Sequence, residues 1–540
     1  MRTGIVTLLV AVLAVGAFAG TASAGKSRPS PAQQNLDFYL QHGYLPVDGV
    51  QAYRAQKAAA ARWAARKALE PSSPSVPSAT AATPILGASW QGISDSTVTP
   101  PDGNGAIGPS RFVEVVNDKI AVYNRTGGTV ASGTLTSFTG DSGCLSDPMV
   151  LWDPSTQRFY YSLFAWNAKA VGCTNFVSPR ILFGFSKTAS PGSIGSNSWC
   201  HYSNSFGYVN GNIPDYPKLG QSANFLEIGV NLYVNIKQKH ANESDLLWID
   251  KPQGSSSITT CPSLPRRGKF SNLKNSDGSQ SWTPVPAIET NSSSTGVVVT
   301  SSDIECPDIC GTGSLLTEHL VRPSTSDPTK ARLVGPFSLT VPTFQSPAQA
   351  KQRNTSNVLD TLDGRLDHAV AGTDPRFGVQ AVWIAHTVRG GAGAQIRWYE
   401  LKISSTPSVL QSGTVTNPSL YVFNAGISND RTCTPSGCAH GSSMVLGFTT
   451  SSSATFPTDQ MVSKIGNGAQ SAFVLVHVST TFDNNFSCSP CRWGDYGGAT
   501  PDPAVSLSAP SGKVWLTQQF TTGGSRFSSG DQTWNWQATP

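Results

Sequence analysis

The chain has 540 residues, with 38 Lys and Arg against 33 Asp and Glu, so its formal charge is only +5 and 13% of its residues are charged. No basic stripe interleaves with aromatic residues, which argues against nucleic acid as a partner. The 13 Trp, 23 Phe and 51 Gly point instead to a large, turn-rich β protein.

Residues 1–24 read as a secretory signal peptide: Arg2 gives the positive flank, Ile5 to Ala19 is nearly unbroken apolar sequence, and Ala22-Ser23-Ala24 is a small-x-small cleavage site. The run is too short to span a bilayer, and no later segment is long and apolar enough to do so. A secreted, extracellular protein with no transmembrane segment is therefore expected. Residues 25–70 form an N-terminal segment whose stretch VQAYRAQKAAAARWAARKAL (50–69) predicts a helix ended by Pro71. That helix is read as a leader outside the main domain. A Pro/Ser/Ala-rich linker follows at 71–87, and residues 88–540 make up the main domain.

From about 88 onward the chain is a series of short β-branched and aromatic bursts separated by Gly, Pro, Asn, Ser and Asp. RFVEVVNDKIAVYN (111–124), ANFLEIGVNLYVNI (223–236), VQAVWIAHTV (379–388) and KVWLTQQF (513–520) are examples. No long helices alternate with them, so the class is all-β. A loose repeat runs through this region: a turn holding Asp or Asn, a small or apolar strand, a polar turn, and a second strand. Its units open at Asp102, Asp147, Asp215, the stretch SDIECPDICGTGSLL (302–316), Asp363, LYVFNAGISNDR from 420, and Asp495. Seven units at an irregular spacing of roughly 45 to 90 residues predict a seven-bladed β-propeller with loop insertions. A pair of β-sandwiches is the alternative.

In a propeller those aspartates gather at one mouth of the central channel. Three uses then compete. Asp215, Asp495 and Asp363 are candidates for paired acid/base work on a glycosidic bond. Asp102 and Asp147 are candidates for holding Ca²⁺, although no cofactor is required. Each aspartate is equally suited to tying its own turn through backbone N–H groups. Tyr216, Tyr496 and Trp493 beside these turns suit stacking on a ligand or packing between blades. Arg365 and Arg492 suit clamping a ligand carboxylate, or pairing with Asp363 and Asp495. No histidine pattern has metal-ligand spacing.

The ten cysteines all lie after the cleavage site, and export makes disulfides the expected state. Cys433 with Cys438, Cys488 with Cys491 and Cys306 with Cys310 are near enough to close small loops. Asn275-Ser276-Asp277-Gly278-Ser279-Gln280-Ser281-Trp282 approximates a hairpin turn whose aspartate ties the turn and whose tryptophan packs between sheets. In RWGDYGGATPDP (492–503), Gly494, Gly497 and Gly498 are expected where backbones approach closely at the crowded axis.

PPDGNGAIGP (100–109), DPMVLWDPSTQRFYYS (147–162), DYPKLG (215–220), LDGRLDHAV (362–370), VWIAHTV (382–388) and RWGDYGGATPDP together resemble a group of secreted bacterial propeller-like proteins. These are related in fold to sialidase and BNR-repeat proteins. The resemblance implies a sialidase-like propeller and no particular activity. The functional expectation is a secreted propeller that binds or processes extracellular carbohydrate at the channel mouth. If it is an enzyme, glycoside hydrolysis or polysaccharide lysis comes first. The alternative is a non-catalytic cell-surface adhesion or protein-interaction module, whose partner would be a surface protein rather than a polysaccharide.

Overall fold

A computed structural model describes residues 50–68 and 81–540, apart from 168–172, 174–175, 235–242, 305–310, 431–432, 435–436, 439, 489 and 504–511. At 50–54, 433–434 and 437–438 only the backbone is described. The signal peptide and most of the linker lie outside the described residues.

The protein is an all-β propeller. Five separate four-stranded antiparallel sheets follow the chain in meander order. Asn104–Ile107, Phe112–Val116, Lys119–Tyr123 and Thr129–Thr134 form the first, and Cys144–Asp153, Arg158–Asn167, Val177–Ser186 and Trp199–Asn204 the second. Ser281–Pro286, Gly296–Ser302, Gly313–Pro323 and Ala331–Phe344 form another, and Tyr421–Asn429, Met444–Ser452, Thr455–Lys464 and Val474–Val478 the next. The last combines Gly498–Pro501, Val514–Ser525 and Ser528–Thr539 with the early strand Ile85–Ser94. There Ser89 faces Trp536 and Gln91 faces Trp534, so the two ends of the domain are zipped into one sheet.

The sixth sheet has nine strands, so separate four-stranded sheets number five, not the seven expected. Two antiparallel meanders, one starting at Ile213–Gln221 and the other at Leu366–Asp374, are joined by the two-residue strand Ile288–Glu289. Ile288 pairs in parallel with Gln221 on one side and with Val370 on the other.

The first strands of the meanders stand beside one another around a closed ring. Asn104–Ile107 neighbours Cys144–Asp153, which neighbours Ile213–Gln221, then Ser281–Pro286, Leu366–Asp374, Tyr421–Asn429 and Gly498–Pro501, which returns to the start. Strands near the axis are covered on both faces, and every residue of Phe225–Tyr233 and Met444–Ser452 is buried. The outermost strand Thr129–Thr134 keeps alternate residues in solvent. Tight asparagine and aspartate turns link the strands: Asp153 Oδ1 accepts from Ser155 N at 3.0 Å, and Asp374 Oδ1 from Arg376 N at 2.7 Å.

The inner strands share an irregularity. Asp147, Tyr216, Thr283 and Asn424 all have φ between 49° and 58°. Each sits in a register shift: between Ser146 and Met149, Asp215 and Lys218, Trp282 and Val285, and Phe423 and Gly426. Such bulges bend the strand and re-aim its side chains. Glycine at the axis has the expected cause. A Cβ on Gly498 would lie 2.8 Å from the backbone N of Gly105, and one on Gly426 would lie 3.0 Å from the carbonyl of Gly498.

Two sequence expectations need correction. The stretch 302–316 does not open a unit; it joins the second and third strands of the sheet that begins at Ser281–Pro286. The unit opens instead after the Asn275–Trp282 turn, where Asp277 Oδ1 accepts from Ser279 N at 3.0 Å and Trp282 is buried. The helix Val50–Lys67 is also not a detached leader. Ala60 and Ala64 are buried against Ala348, Ala350, Leu359 and Trp493.

Three disulfides hold the described residues: Cys144–Cys173, Cys200–Cys261 and Cys488–Cys491. Only the last was an anticipated pair. Backbone pairing sets Cys433 opposite Cys438, but their side chains, like Cys306 and Cys310, lie outside what is described.

Candidate functional site

The inner strands and the loops that lead into them carry a set of charged groups that interact with one another near the axis. Asp102 precedes the first of these strands, Asp147 lies at the bulge of the second, Asp215 lies one residue before the bulge of the third, and Asp495 precedes the last. The four are electrostatic neighbours: Asp147 and Asp495 both act on Asp102 and on Asp215. Asp363 and Arg365 enter from the loop before Leu366–Asp374, and Arg492 from the loop before Gly498–Pro501.

Most of these groups are already engaged. Asp102 Oδ1 accepts from Asp495 N at 2.7 Å, and its Oδ2 accepts from Asn117 Nδ2 at 2.8 Å. Asp147 Oδ2 accepts from Tyr496 OH at 3.0 Å, and its Oδ1 accepts from Ser146 Oγ. Arg492 is ion-paired with Asp495, and Arg365 is forked onto Asp363. Both arginines thus pair with neighbouring aspartates.

Tyr216 OH and Lys218 Nζ both donate to the carbonyl of Asp495, at 2.8 and 3.1 Å. The Lys218 ammonium lies 3.8 Å from the Tyr216 ring centroid and 3.7 Å from that of Tyr496, and so makes a cation–π contact with both rings. The axis is therefore filled with side chains at this level. Trp493 stands apart from it: its ring packs on Phe423, and its Nε1 donates to Thr449 Oγ1 at 3.2 Å.

Asp215 differs from the rest. It is half-buried, and among the described residues its carboxyl makes no hydrogen bond. Burial, then the charge on Asp147, push its pKa well above the ordinary carboxylate value, with Arg365 opposing. Asp102 is raised for the same reasons: burial first, then Asp495 and Asp147. Asp363 goes the other way. Burial opposes ionisation, but the charge and hydrogen bonds of Arg365, with Lys57 adding, hold its carboxyl below the usual value.

Sequence reasoning missed Lys218, Asp360 and Asp367. Burial brings Lys218 down to about 7, and takes both Asp360 and Asp367 up to about 7. Lys218 was visible within DYPKLG, but nothing in that stretch marks a lysine as buried. Asn117 was also missed, because it belongs to a turn two strands away from the residue it fixes.

The Ca²⁺ expectation at Asp102 and Asp147 meets an obstacle, since all four of their carboxylate oxygens already have donors. Among the described residues, three metal-ligating atoms come close together only at Asp483, Cys488 and Cys491, where the two sulfurs form a disulfide. An open cleft of about 590 Å³ lies far from the carboxylates, at the rim between Asn204–Gly207 and Arg266–Lys269.

No protein-family model matches the chain, and no curated protein matches its sequence. Solved structures do match. The Hadza microbial sialidase Hz136 aligns at 8% identity and TM-score 0.35, over 65% of this chain and 63% of that one. This chain thus covers less than two thirds of that sialidase. The Penicillium chrysogenum α-L-arabinanase complexed with arabinobiose aligns at 11% identity and TM-score 0.30, over 72% of this chain and 92% of that one. An exo-β-1,3-galactanase from Clostridium thermocellum aligns at 10% identity and TM-score 0.31, over 73% and 81%. Identities this low establish no residue correspondence. Among the described residues, no helix is long and apolar enough to cross a membrane.

Proposed function

We propose that this is a secreted protein that binds extracellular carbohydrate at the channel mouth and cleaves a glycosidic bond there, with Asp215 as the proton donor. One observation carries the reading. Asp215 is a half-buried carboxyl, without a hydrogen-bond partner among the described residues and with a raised pKa, set among the two carboxylates of Asp147 and Asp495 and the two guanidinium groups of Arg365 and Arg492. A general acid in glycoside hydrolysis must hold its proton near neutral pH, and burial beside like charge achieves that. Asp495 is the matching carboxylate: Arg492 binds its Oδ2, while its buried Oδ1 has no partner among the described residues. Tyr216 and Tyr496 form the floor, and the axial arginines act through the aspartates they bind.

In the same reading the nine-stranded sheet is two blades joined at their inner edges, and the propeller has seven. The closed ring of seven first strands supports this count. Export is supported by the signal-like N-terminus and by three disulfides.

A second reading, a non-catalytic binding module, has its own support in the saturation of Asp102, Asp147 and Asp363 by hydrogen bonds. One experiment separates the two. The mature protein is incubated with a panel of bacterial and plant polysaccharides, with and without Ca²⁺, beside Asp215→Asn. New oligosaccharides from the wild type, lost in an equally folded Asp215→Asn, establish the hydrolase. Retained glycan binding without products in either protein establishes the module.

A further inference from the structure

The helix Val50–Lys67 lies on the face of the ring where the inner strands begin. Its buried side meets the loop before Leu366–Asp374 and the loop before Gly498–Pro501. Lys57 is buried, and its ammonium donates to Thr361 Oγ1 at 3.0 Å and to the carbonyl of Leu362. Gln56 Nε2 donates to the carbonyl of Ile304 at 2.6 Å, and Gln56 Oε1 accepts from Ser346 Oγ at 2.5 Å. Ala60 and Ala64 are buried in one apolar cluster with Ala348, Ala350, Leu359, Tyr421, Phe423 and Trp493. The helix is thus a roof over the Asp360–Asp363 side of the mouth, while Asp147 and Asp215 on the other side stay half-exposed.

The attachment is specific but slight. Among the described side chains, its apolar part is two alanine methyls and part of one indole, and apolar stabilisation scales with the area removed from water. Its polar part exchanges water for a few hydrogen bonds, each with a small net effect, and buries an ammonium at a desolvation cost. The opposite side of the helix is exposed, and it ends in the exposed basic pair Arg66-Lys67. No sheet strand lies N-terminal to that pair among the described residues, so a cut there leaves every sheet covalently intact.

We propose that Arg66-Lys67 is a processing site: a protease specific for basic residues hydrolyses the peptide bond after Arg66 or Lys67, and the freed helix leaves the mouth. Water adds across that one bond, giving a new carboxylate on the helix fragment and a new amine on the propeller. The regulatory meaning rests on the reading of the mouth as the functional site, but the release itself does not. Once the helix has gone, the roof over Asp360 to Asp363 opens, and Asp363 loses the nearby charge of Lys57.

The test uses the full chain and trypsin under native conditions, with no glycan present. The first cut is expected at Arg66 or Lys67 by mass. The N-terminal fragment then separates from the propeller on gel filtration, and amide exchange at 346–363 and 491–496 rises at least tenfold while the sheets stay protected. Ala60→Glu, which places a charge in the alanine seam, should raise exchange in the same two segments without any cut. Arg66→Gln/Lys67→Gln should keep the helix and its protection under the same protease. A fragment that stays bound with exchange unchanged overturns the proposal. So does a first cut within the sheets, or an Ala60→Glu protein protected like the wild type. Failure of the glycan screen leaves all of these outcomes readable.

Discussion

The phenol of Tyr496 donates to Asp147 Oδ2 at 3.0 Å, tying the loop that opens the last sheet to the bulge of the second sheet across the axis. Tyr496→Phe removes that donor and leaves the ring in place. Asp147 is half-buried, so water can partly replace the phenol, and the expected loss is about 1 kcal/mol by urea unfolding. Because the lost bond favours the charged carboxylate, the Asp147 pKa, already raised by burial, should rise further. A carboxyl ¹³C titration of wild type and variant reads this shift, and an unchanged Asp147 would show that the bond is not formed in solution.

Arg365 and Asp363 are both buried and joined by several hydrogen bonds, and the guanidinium lies 4.8 Å from the Tyr216 ring centroid. Breaking such a pair from one side strands a charge. Arg365→Met should destabilise the protein by roughly 3–5 kcal/mol, whereas Arg365→Met combined with Asp363→Leu should recover most of that loss. The double-mutant cycle in chemical denaturation measures the coupling. Additive single effects would mean that the pair is not a unit.

Cys200 and Cys261 are 61 residues apart in sequence and join the fourth strand of the second sheet to the loop after Glu243–Asp250. In the chain-entropy account, closing a loop of that length stabilises the fold by about 4 kcal/mol. Cys200→Ala/Cys261→Ala should therefore lower the unfolding free energy by about that amount. A loss below about 1 kcal/mol would mean that the neighbouring sheets already fix this loop.

The sequence made the β class legible, along with the aspartates near the axis, because both depend on local residue types: β-branched bursts, and Asp in turns. The phase of the repeat was harder to see. The structurally equivalent positions are Asp147, Tyr216, Thr283 and Asn424, which share a left-handed backbone conformation and little side-chain chemistry. Three of the four precede proline, a signal that alignment on aspartate passes over. That alignment equated Asp215 with Asp147 although Asp215 lies one residue before the equivalent bulge position, and this offset accompanies its different surroundings. It also misplaced the unit that begins at Ser281, whose opening turn has Asp277 but whose strand carries no aspartate. Docking of the helix was illegible for another reason. An alanine face reads as weakly amphipathic, and the alanines that receive it, Ala348 and Ala350, lie nearly three hundred residues away in sequence.

Glu227 offers the clearest pH signature. It is fully buried on Phe225–Tyr233, and burial raises its carboxyl to about 8, with Ser222 and Lys251 opposing. An unfolded glutamate titrates near 4.5. Between those values the folded state binds the proton more tightly than the unfolded state does. The contribution of Glu227 is therefore fully present below about 4.5 and is lost as pH rises toward 8. Within that window the unfolding free energy should fall by up to about 1.4 kcal/mol per pH unit from this one group. Glu227→Gln keeps the shape and cannot ionise, so its stability should match the wild type at about pH 4, below the unfolded value, and exceed it at pH 8. Urea unfolding of both proteins across this range checks the sign. Parallel curves for the two would mean that Glu227 ionises in the fold as readily as in water, and that its surroundings are wetter than its burial indicates.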